Sequence, residues 1–291
     1  MSYANANGVK LYVEETGSGY PIVFVHEFAA DHREWETQVR YFSRNYRCIT
    51  FAARGYPPSD VPEDAAAYHY THFADDIAAV MQHVGVPKAH IVGLSQGAYA
   101  ALVFGLRHPQ MASALVAAGV GSGSVREQRE EFRKQCAANA QRFLSEGAAK
   151  MAQETGVGAT RVQLQNKDPR GWQEFVDHLS QHSAKGSSLT MRNYQGERPS
   201  LYDFTEQFAA MTIPTLVISG DEDEPCLETS IFLKRTILTA GLFIQPRSGH
   251  AINLEEPAAF NREVQDFLST VERGRWGTRD PRATVSVPIQ R

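Results

Sequence analysis

The chain has 291 residues, of which 42% are hydrophobic and 21% charged, and its net charge is −4. These values are typical of a globular protein and exclude a largely disordered chain. The sequence has no basic run, so we expect neither nucleic acid nor a membrane surface to be the main partner. A small-molecule substrate is the expected partner, and the oligomeric state stays open, a homodimer included.

Cysteine usage and the N-terminus indicate the compartment. Cys48, Cys136 and Cys226 are widely spaced and form no C-x-x-C pair, so neither a disulfide framework nor a zinc site is predicted. The histidines show no metal-site spacing either, and we expect no metal and no cofactor. The sequence lacks a signal-peptide pattern at its start and an apolar run of about 18 residues. We therefore expect a cytoplasmic protein.

Apolar strands alternate with amphipathic helices in two blocks of the chain. The predicted strands are 9–15, 22–26, 47–51, one that begins at Ile91, 114–118, 215–219 and 242–245. The main predicted helices are 32–45, 71–84, the helix after Gly97, and 257–272. This alternation is typical of α/β proteins with a doubly wound, mostly parallel sheet.

The alternation stops between residues 121 and 211. Only charged, amphipathic helices are predicted there: 125–146, a stretch around 172–176, and 201–211. We therefore predict an α/β core over 1–120 and 212–273 with a helical cap over 121–211. The tail, 274–291, has no periodicity and is expected to be flexible or draped over the surface.

A Gly-x-Ser-x-Gly turn follows the central apolar strand. Gly93, Ser95 and Gly97 would place the serine hydroxyl at the top of the sheet with a helix N-terminus behind it, because glycine lets the strand and helix backbones cross closely. A serine needs a base, and the base needs an acid. His250 lies just beyond the last strand, and the acids of residues 221–224 follow the strand before it.

With these motifs the chain resembles the α/β-hydrolase family over residues 8 to 272. The order Ser, Asp, His is the one expected of that family. The family pattern Gly-x-x-Asp falls on Gly220 and Asp223, so the resemblance implies Asp223 as the acid, with Asp221 as the fallback. Two further family features are the segments 249–257, Gly-His followed by Asn-x-Glu-x-Pro, and 54–59, Arg-Gly-x-x-x-Ser.

The resemblance also implies the oxyanion hole, which consists of the backbone N–H groups of Phe28 and Gln96. Relatives carry His-Gly before the first position, whereas this chain has His26-Glu27. A carboxylate near an oxyanion opposes its charge unless it points away, is paired or is protonated. Two interpretations of Glu27 stay open: an exposed side chain on ordinary backbone, or a role in placing substrate or water.

Several large side chains could line a pocket under the cap or simply belong to the core. The candidates for substrate binding are Tyr99, Trp172, Met191 and Tyr194. Arg192 and Arg198 could meet a substrate carboxylate or form a solvated face.

The family resemblance implies a cofactor-free serine hydrolase of the esterase, lactonase or haloperoxidase-like branch. Ester or lactone cleavage is the expected reaction. Cleavage of a C–C or amide bond, and a non-catalytic receptor that reuses the pocket, are the alternatives.

Overall fold

The computed structural model describes residues 1–284 and contains one eight-stranded sheet. The strands are β1 (Ser2–Ala6), β2 (Val9–Thr16), β3 (Tyr20–Val25), β4 (Tyr46–Phe51), β5 (Ala89–Leu94), β6 (Ala112–Ala118), β7 (Thr215–Gly220) and β8 (Ala240–Gln245). Their order across the sheet is β1-β2-β4-β3-β5-β6-β7-β8. β2 pairs antiparallel with β1 and β4, and the remaining pairs are parallel. The predicted doubly wound, mostly parallel sheet is confirmed.

Helices cover both faces of this sheet. They are α1 (Glu36–Phe42), α2 (Tyr70–His83), α3 (Gln96–Arg107), α4 (Arg129–Gly156), α5 (Val162–Lys167), α6 (Pro169–Ser180), α7 (Ala184–Leu189), α8 (Thr205–Ala210), α9 (Glu224–Thr236), α10 (Ile252–Glu255) and α11 (Pro257–Glu272). Successive residues of β5 point to opposite faces. Ile91 joins the apolar cluster with α2 and α3, whereas Val92 joins the cluster with Trp35 and Phe260. Because β5 is covered on both faces, its sequence is apolar throughout.

The N-terminal third differs from the sequence-based expectation in two places. Ser2–Ala6 forms an edge strand that pairs with β2, although no strand was predicted there. The helix predicted over 32–45 is shorter: Asp31 caps a single 3₁₀ turn, His32–Trp35, and the α-helix spans only Glu36–Phe42.

The stretch between β6 and β7, all of it described, contains helices α4 to α8 and no strand. Its first helix runs to Gly156, ten residues beyond the predicted end, and is interrupted at Gly147, where φ is 81°. Apolar side chains of this helical segment, among them Leu164, Phe175 and Leu179, pack against Ala29 and Ala251. The segment therefore rests on the loops that follow β3 and β8.

The described part of the C-terminal tail runs over the surface. The indole Nε1 of Trp276 donates to the carbonyl of Thr239 at 2.8 Å, and the Arg279 N–H donates to the carbonyl of Leu238 at 2.9 Å. The prediction for 285–291 lies outside the described residues. Among residues 1–284, no helix is long and apolar enough to cross a membrane.

Candidate active site

Ser95 lies in the turn between β5 and α3 and has an uncommon backbone conformation, with φ 53° and ψ −110°. Its N–H donates to the carbonyl of Ala118 at 2.8 Å, which ties the turn to the neighbouring strand β6. A Cβ on Gly93 would collide with the backbone of Gly97, and a Cβ on Gly97 would collide with the carbonyl of Val25. The two glycines therefore permit the close crossing that projects the Ser95 side chain from the sheet edge.

His250 and Asp223 form a buried hydrogen-bonded pair beside this turn. The imidazole Nδ1 lies 2.8 Å from Oδ2 of Asp223, which leaves Nε2 free to exchange a proton. Burial lowers the pKa of His250, but the Asp223 carboxylate outweighs burial and raises that pKa well above 6.5. Asp221, the fallback acid, is exposed and accepts the Ser248 N–H at 3.2 Å instead.

A second carboxylate holds the loop that carries His250. Glu255 accepts the N–H of Gly249 at 2.6 Å and the N–H of Ala251 at 3.1 Å, so it contacts the backbone on both sides of the imidazole. Glu255 is the acid of the predicted Asn-x-Glu-x-Pro motif. Its contacts indicate that this acid positions the base.

The loop after β3 has a fixed backbone. Nδ1 of His26 lies 2.7 Å from the carbonyl of Glu27, and Nε2 accepts the N–H of Ala53 at 3.0 Å. Because Nε2 is an acceptor, the donating proton is on Nδ1, and burial lowers the pKa of His26 so that the ring stays neutral. The Tyr56 hydroxyl donates to the carbonyl of Phe28 at 3.1 Å. These bonds orient the peptide whose N–H belongs to Phe28.

Gln96 is the first residue of α3, so its N–H is one of the backbone donors that a helix leaves without an intrahelical partner. Phe28 and Ser95 line the same cavity. The Gly-x-Ser-x-Gly turn thus positions the Gln96 N–H, and the loop after β3 positions the Phe28 N–H. These are the two groups that the resemblance implies as oxyanion donors.

Glu27 is buried, with 2% of its surface exposed, so its interpretation as an exposed side chain was wrong. Its two carboxylate oxygens accept Nη2 of Arg161 at 2.6 and 2.5 Å, and Oε2 lies 3.7 Å from Nε2 of His250. Arg161 comes from the 3₁₀ turn Ala159–Arg161 of the helical segment and stacks over Phe175 at 4.8 Å. The charge of Glu27 is therefore paired.

Arg161 was missed by the sequence analysis, because no local pattern links it to a residue 134 positions away. Glu34 was missed as well. Its Oε2 accepts the Glu27 N–H at 3.1 Å, while Oε1 is buried and has no hydrogen-bond partner among residues 1–284. Burial, and then the nearby Glu27 carboxylate, raise the pKa of Glu34 well above 4.5. Glu34 thus lies next to the Glu27–Arg161 ion pair and disfavours a second buried negative charge there.

A cavity of about 470 Å³ contains Ser95 and His250 in its wall. The helical segment contributes apolar side chains such as Phe143 and the predicted Met191, and polar ones such as Asn139. A second groove, of about 530 Å³, is lined by charged side chains near Asp31 and Asp168 and does not include the serine or the imidazole. The smaller cavity is the candidate active site.

Three predicted pocket residues lie outside the wall of this cavity. Tyr99 and Tyr194 are fully buried, and their hydroxyls donate to the carbonyls of Pro199 and Gln96, both at 2.9 Å. Trp172 donates Nε1 to the carbonyl of Gly156 at 2.7 Å. Their polar atoms thus bond to backbone carbonyls, and the rings of Tyr99 and Tyr194 support the wall by packing against Arg198.

The two arginines considered for a substrate carboxylate differ in burial. Arg192 is exposed, as a solvated face requires. Arg198 has only 4% of its surface exposed and lines the cavity, so the interpretation as a solvated face is wrong for it.

Cys226 lies close to the His250–Asp223 pair. One possible metal-ligand atom of each of the three residues lies within 4.8 Å of the other two. The short separation of 2.8 Å between Nδ1 and Oδ2 is a hydrogen-bond distance. The thiol donates to the carbonyl of Gly119 at 3.3 Å, and burial raises the pKa of the thiol, which disfavours the thiolate that a metal requires. This set fits a hydrogen-bonded acid–base pair better than a metal centre.

The family model described as alpha/beta hydrolase fold matches residues 20–257, and the chain therefore belongs to this family. A similar protein is 3-oxoadipate enol-lactonase 1 of Acinetobacter baylyi, 24% identical over 270 residues that cover 92% of this chain and 96% of the relative.

Two solved structures share the fold. The enol-lactonase from Burkholderia xenovorans LB400 has a TM-score of 0.79 and 21% identity, and the match covers 92% of this chain and 99% of that one. A thermophilic esterase from Thermogutta terrifontis has a TM-score of 0.80 and 24% identity, with 93% and 97% covered.

Proposed function

We propose that the protein is a serine hydrolase that cleaves a small or medium carboxylic ester or lactone through an acyl-enzyme intermediate. The observation that carries the proposal is the location of a strained Ser95 and of His250 in the wall of one cavity, with Asp223 hydrogen-bonded to His250. Enol-lactonases and an esterase among the similar proteins support the same bond class.

In the first half-reaction, Ser95 Oγ attacks the carbonyl carbon as His250 Nε2 takes the hydroxyl proton. The Phe28 and Gln96 N–H groups stabilise the oxyanion. The intermediate then collapses, the C–O bond to the leaving group breaks, and His250 returns the proton to the leaving oxygen. In a lactone, that oxygen stays attached to the acyl group.

In the second half-reaction, water attacks the acyl-enzyme and gives its proton to Nε2. Collapse of this second intermediate returns the proton to Ser95 and releases the acid. Asp223 holds the imidazole in the tautomer that both steps need and stabilises the imidazolium. Because Arg161 pairs both oxygens of Glu27, the repulsion between that carboxylate and the developing oxyanion is weakened.

A fluorophosphonate reagent tests the nucleophile directly. Mass spectrometry of the treated protein should find one adduct, on Ser95, and the protein should hydrolyse members of a panel of chromogenic esters and lactones. Ser95→Ala should lose the adduct and all measurable turnover, since base catalysis and one oxyanion donor contribute roughly 10²–10⁴ and 10²–10³ in rate.

Ser145→Ala is the matched control, because Ser145 is an exposed serine whose hydroxyl donates to the carbonyl of Gln141 in its own helix. This control should keep both the adduct and the activity. An unlabelled Ser95 in folded protein would instead favour the non-catalytic receptor.

A further inference from the structure

Within residues 1–284, the cavity wall contains one guanidinium that forms no salt bridge with a carboxylate. Among the charged side chains that line the cavity, Glu27 is paired with Arg161. Arg198 is the remaining guanidinium. Its Nη2 donates to the carbonyl of Ser122 at 3.0 Å, and a side-chain hydrogen bond joins it to Tyr194. In the described part of the chain, its Nη1 is buried without a hydrogen-bond partner.

The surroundings of Arg198 hold this charge in place without compensating it. The guanidinium stacks over the rings of Tyr99 at 4.6 Å and Tyr194 at 5.5 Å. A second guanidinium lies behind it, since Nη2 of Arg129 donates to the carbonyl of Arg198. The other hydrogen bonds of Arg129 also go to carbonyls, those of Gly123 and Gly196, both at 3.1 Å.

A buried guanidinium is costly unless an anion meets it. Stacking on aromatic rings and bonds to carbonyls offset only part of that cost. A planar fork of N–H groups matches a carboxylate, and the cavity beside it has about 470 Å³ of space. The wall also has apolar side chains, among them Phe28, Phe143 and Met191, which would contact an aliphatic or cyclic acyl group.

We propose that Arg198 forms an anion subsite and that the substrate is an ester or lactone whose acyl part carries a carboxylate at the end away from the scissile bond. That the bound molecule is hydrolysed rests on the proposed function. That Arg198 binds a carboxylate does not. Arg198 acts here as a specificity-determining residue.

Two chromogenic substrates of equal length separate charge from size: the mono-p-nitrophenyl ester of adipic acid and the p-nitrophenyl ester of hexanoic acid. The parent protein should prefer the adipate monoester in kcat/KM by about 10- to 100-fold, the range expected for a charged hydrogen bond. Arg198→Met should abolish the preference, and Arg198→Lys should keep part of it. Arg192→Met, which changes an exposed arginine of the same segment, should leave the ratio as it is.

A binding experiment isolates the anion subsite from the chemistry. Calorimetric titration of free adipate into Ser95→Ala should show binding that weakens at least about tenfold in Ser95→Ala/Arg198→Met and less in Ser95→Ala/Arg192→Met. Adipate binding without hydrolysis of either ester would refute the proposed function and leave the subsite standing.

Equal rates on the two esters, together with no binding of adipate to Ser95→Ala, would overturn the subsite and leave the hydrolase standing. If Arg198→Met does not fold, the parent's preference and the titration of Ser95→Ala decide, because neither needs that variant.

Discussion

Arg161 donates to both carboxylate oxygens of Glu27, at 2.6 and 2.5 Å, and each side chain has 3% of its surface exposed. This ion pair joins the helical segment to the loop after β3, 3.7 Å from Nε2 of His250. It is at once a structural link between two parts of the chain and a source of charge beside the proposed base.

Removing one partner of this pair should destabilise the fold. In Arg161→Met, Glu27 becomes an unpaired buried carboxylate, and we expect the free energy of unfolding to fall by about 3–5 kcal/mol. The double variant Glu27→Gln/Arg161→Met should be more stable than Arg161→Met, because no buried charge is left alone. Denaturant unfolding of the parent, both single variants and the double variant measures the coupling.

The pair Arg40–Glu36 is the matched surface control, since its side chains are 78% and 61% exposed. Arg40→Met should leave the unfolding curve unchanged. If Arg161→Met were equally silent, the buried pair would contribute nothing to the stability of the chain.

Glu34 should make stability depend on pH. Burial and the neighbouring Glu27 raise the pKa of Glu34 in the folded state well above 4.5, its value in the unfolded chain. Stability from the protonated form is therefore complete below pH 4.5 and is lost as pH rises towards the folded pKa. Glu34→Gln mimics the protonated form and cannot ionise, so its stability relative to the parent should increase with pH above 4.5.

Urea unfolding of the parent and of Glu34→Gln at a series of pH values measures this difference. Glu36→Gln, at an exposed neighbouring carboxylate, is the control and should follow the parent at every pH. A constant difference between Glu34→Gln and the parent would mean that Glu34 is ionised throughout.

The parts of the site that sequence predicted are those with a local signal. Gly93 and Gly97 mark the close crossing around Ser95, and the alternation of strands and helices places His250 and the acids 221–224 at the same sheet edge. The first signal spans five residues, and the second needs only the order of elements along the chain.

The parts that sequence missed depend on contacts between distant segments. Burial of Glu27 follows from Arg161 in the helical segment, and amphipathic periodicity does not show which face of that segment meets the loop after β3. The positions of large side chains around the cavity are equally hard to predict. Tyr99 and Tyr194 support the wall from behind, whereas Met191 forms part of it. The edge strand β1 was missed because its pairing with β2 decides its structure.

Glu255 should position the base without touching substrate. Its carboxylate accepts the N–H groups of Gly249 and Ala251, on either side of His250. In Glu255→Ala, both donors lose their acceptor, and we expect kcat to fall about 10- to 100-fold with little change in KM, since small displacements of catalytic groups have such costs.

Steady-state kinetics on a chromogenic ester measures kcat and KM separately. Glu255→Gln keeps one acceptor oxygen and should recover part of kcat. Glu36→Gln is the control, because the Glu36 side chain is 61% exposed and pairs with Arg40 on α1 rather than with the His250 loop. A rise in KM with unchanged kcat would place Glu255 in substrate binding instead.

The charge of Glu27 should set the pH at which His250 becomes active as a base. Asp223 raises the pKa of His250 despite burial. Glu27 Oε2 lies 3.7 Å from Nε2, and a negative charge at that distance favours the imidazolium. Glu27→Gln removes that negative charge and leaves Arg161 uncompensated, and both changes favour the neutral imidazole. The acid limb of the kcat/KM profile should therefore move to lower pH, as should the pH dependence of fluorophosphonate labelling of Ser95.

Glu63→Gln, at an exposed carboxylate paired with Lys185, should leave both profiles in place. A folded Glu27→Gln with an unshifted acid limb would show that the pair with Arg161 screens Glu27 completely from the imidazole.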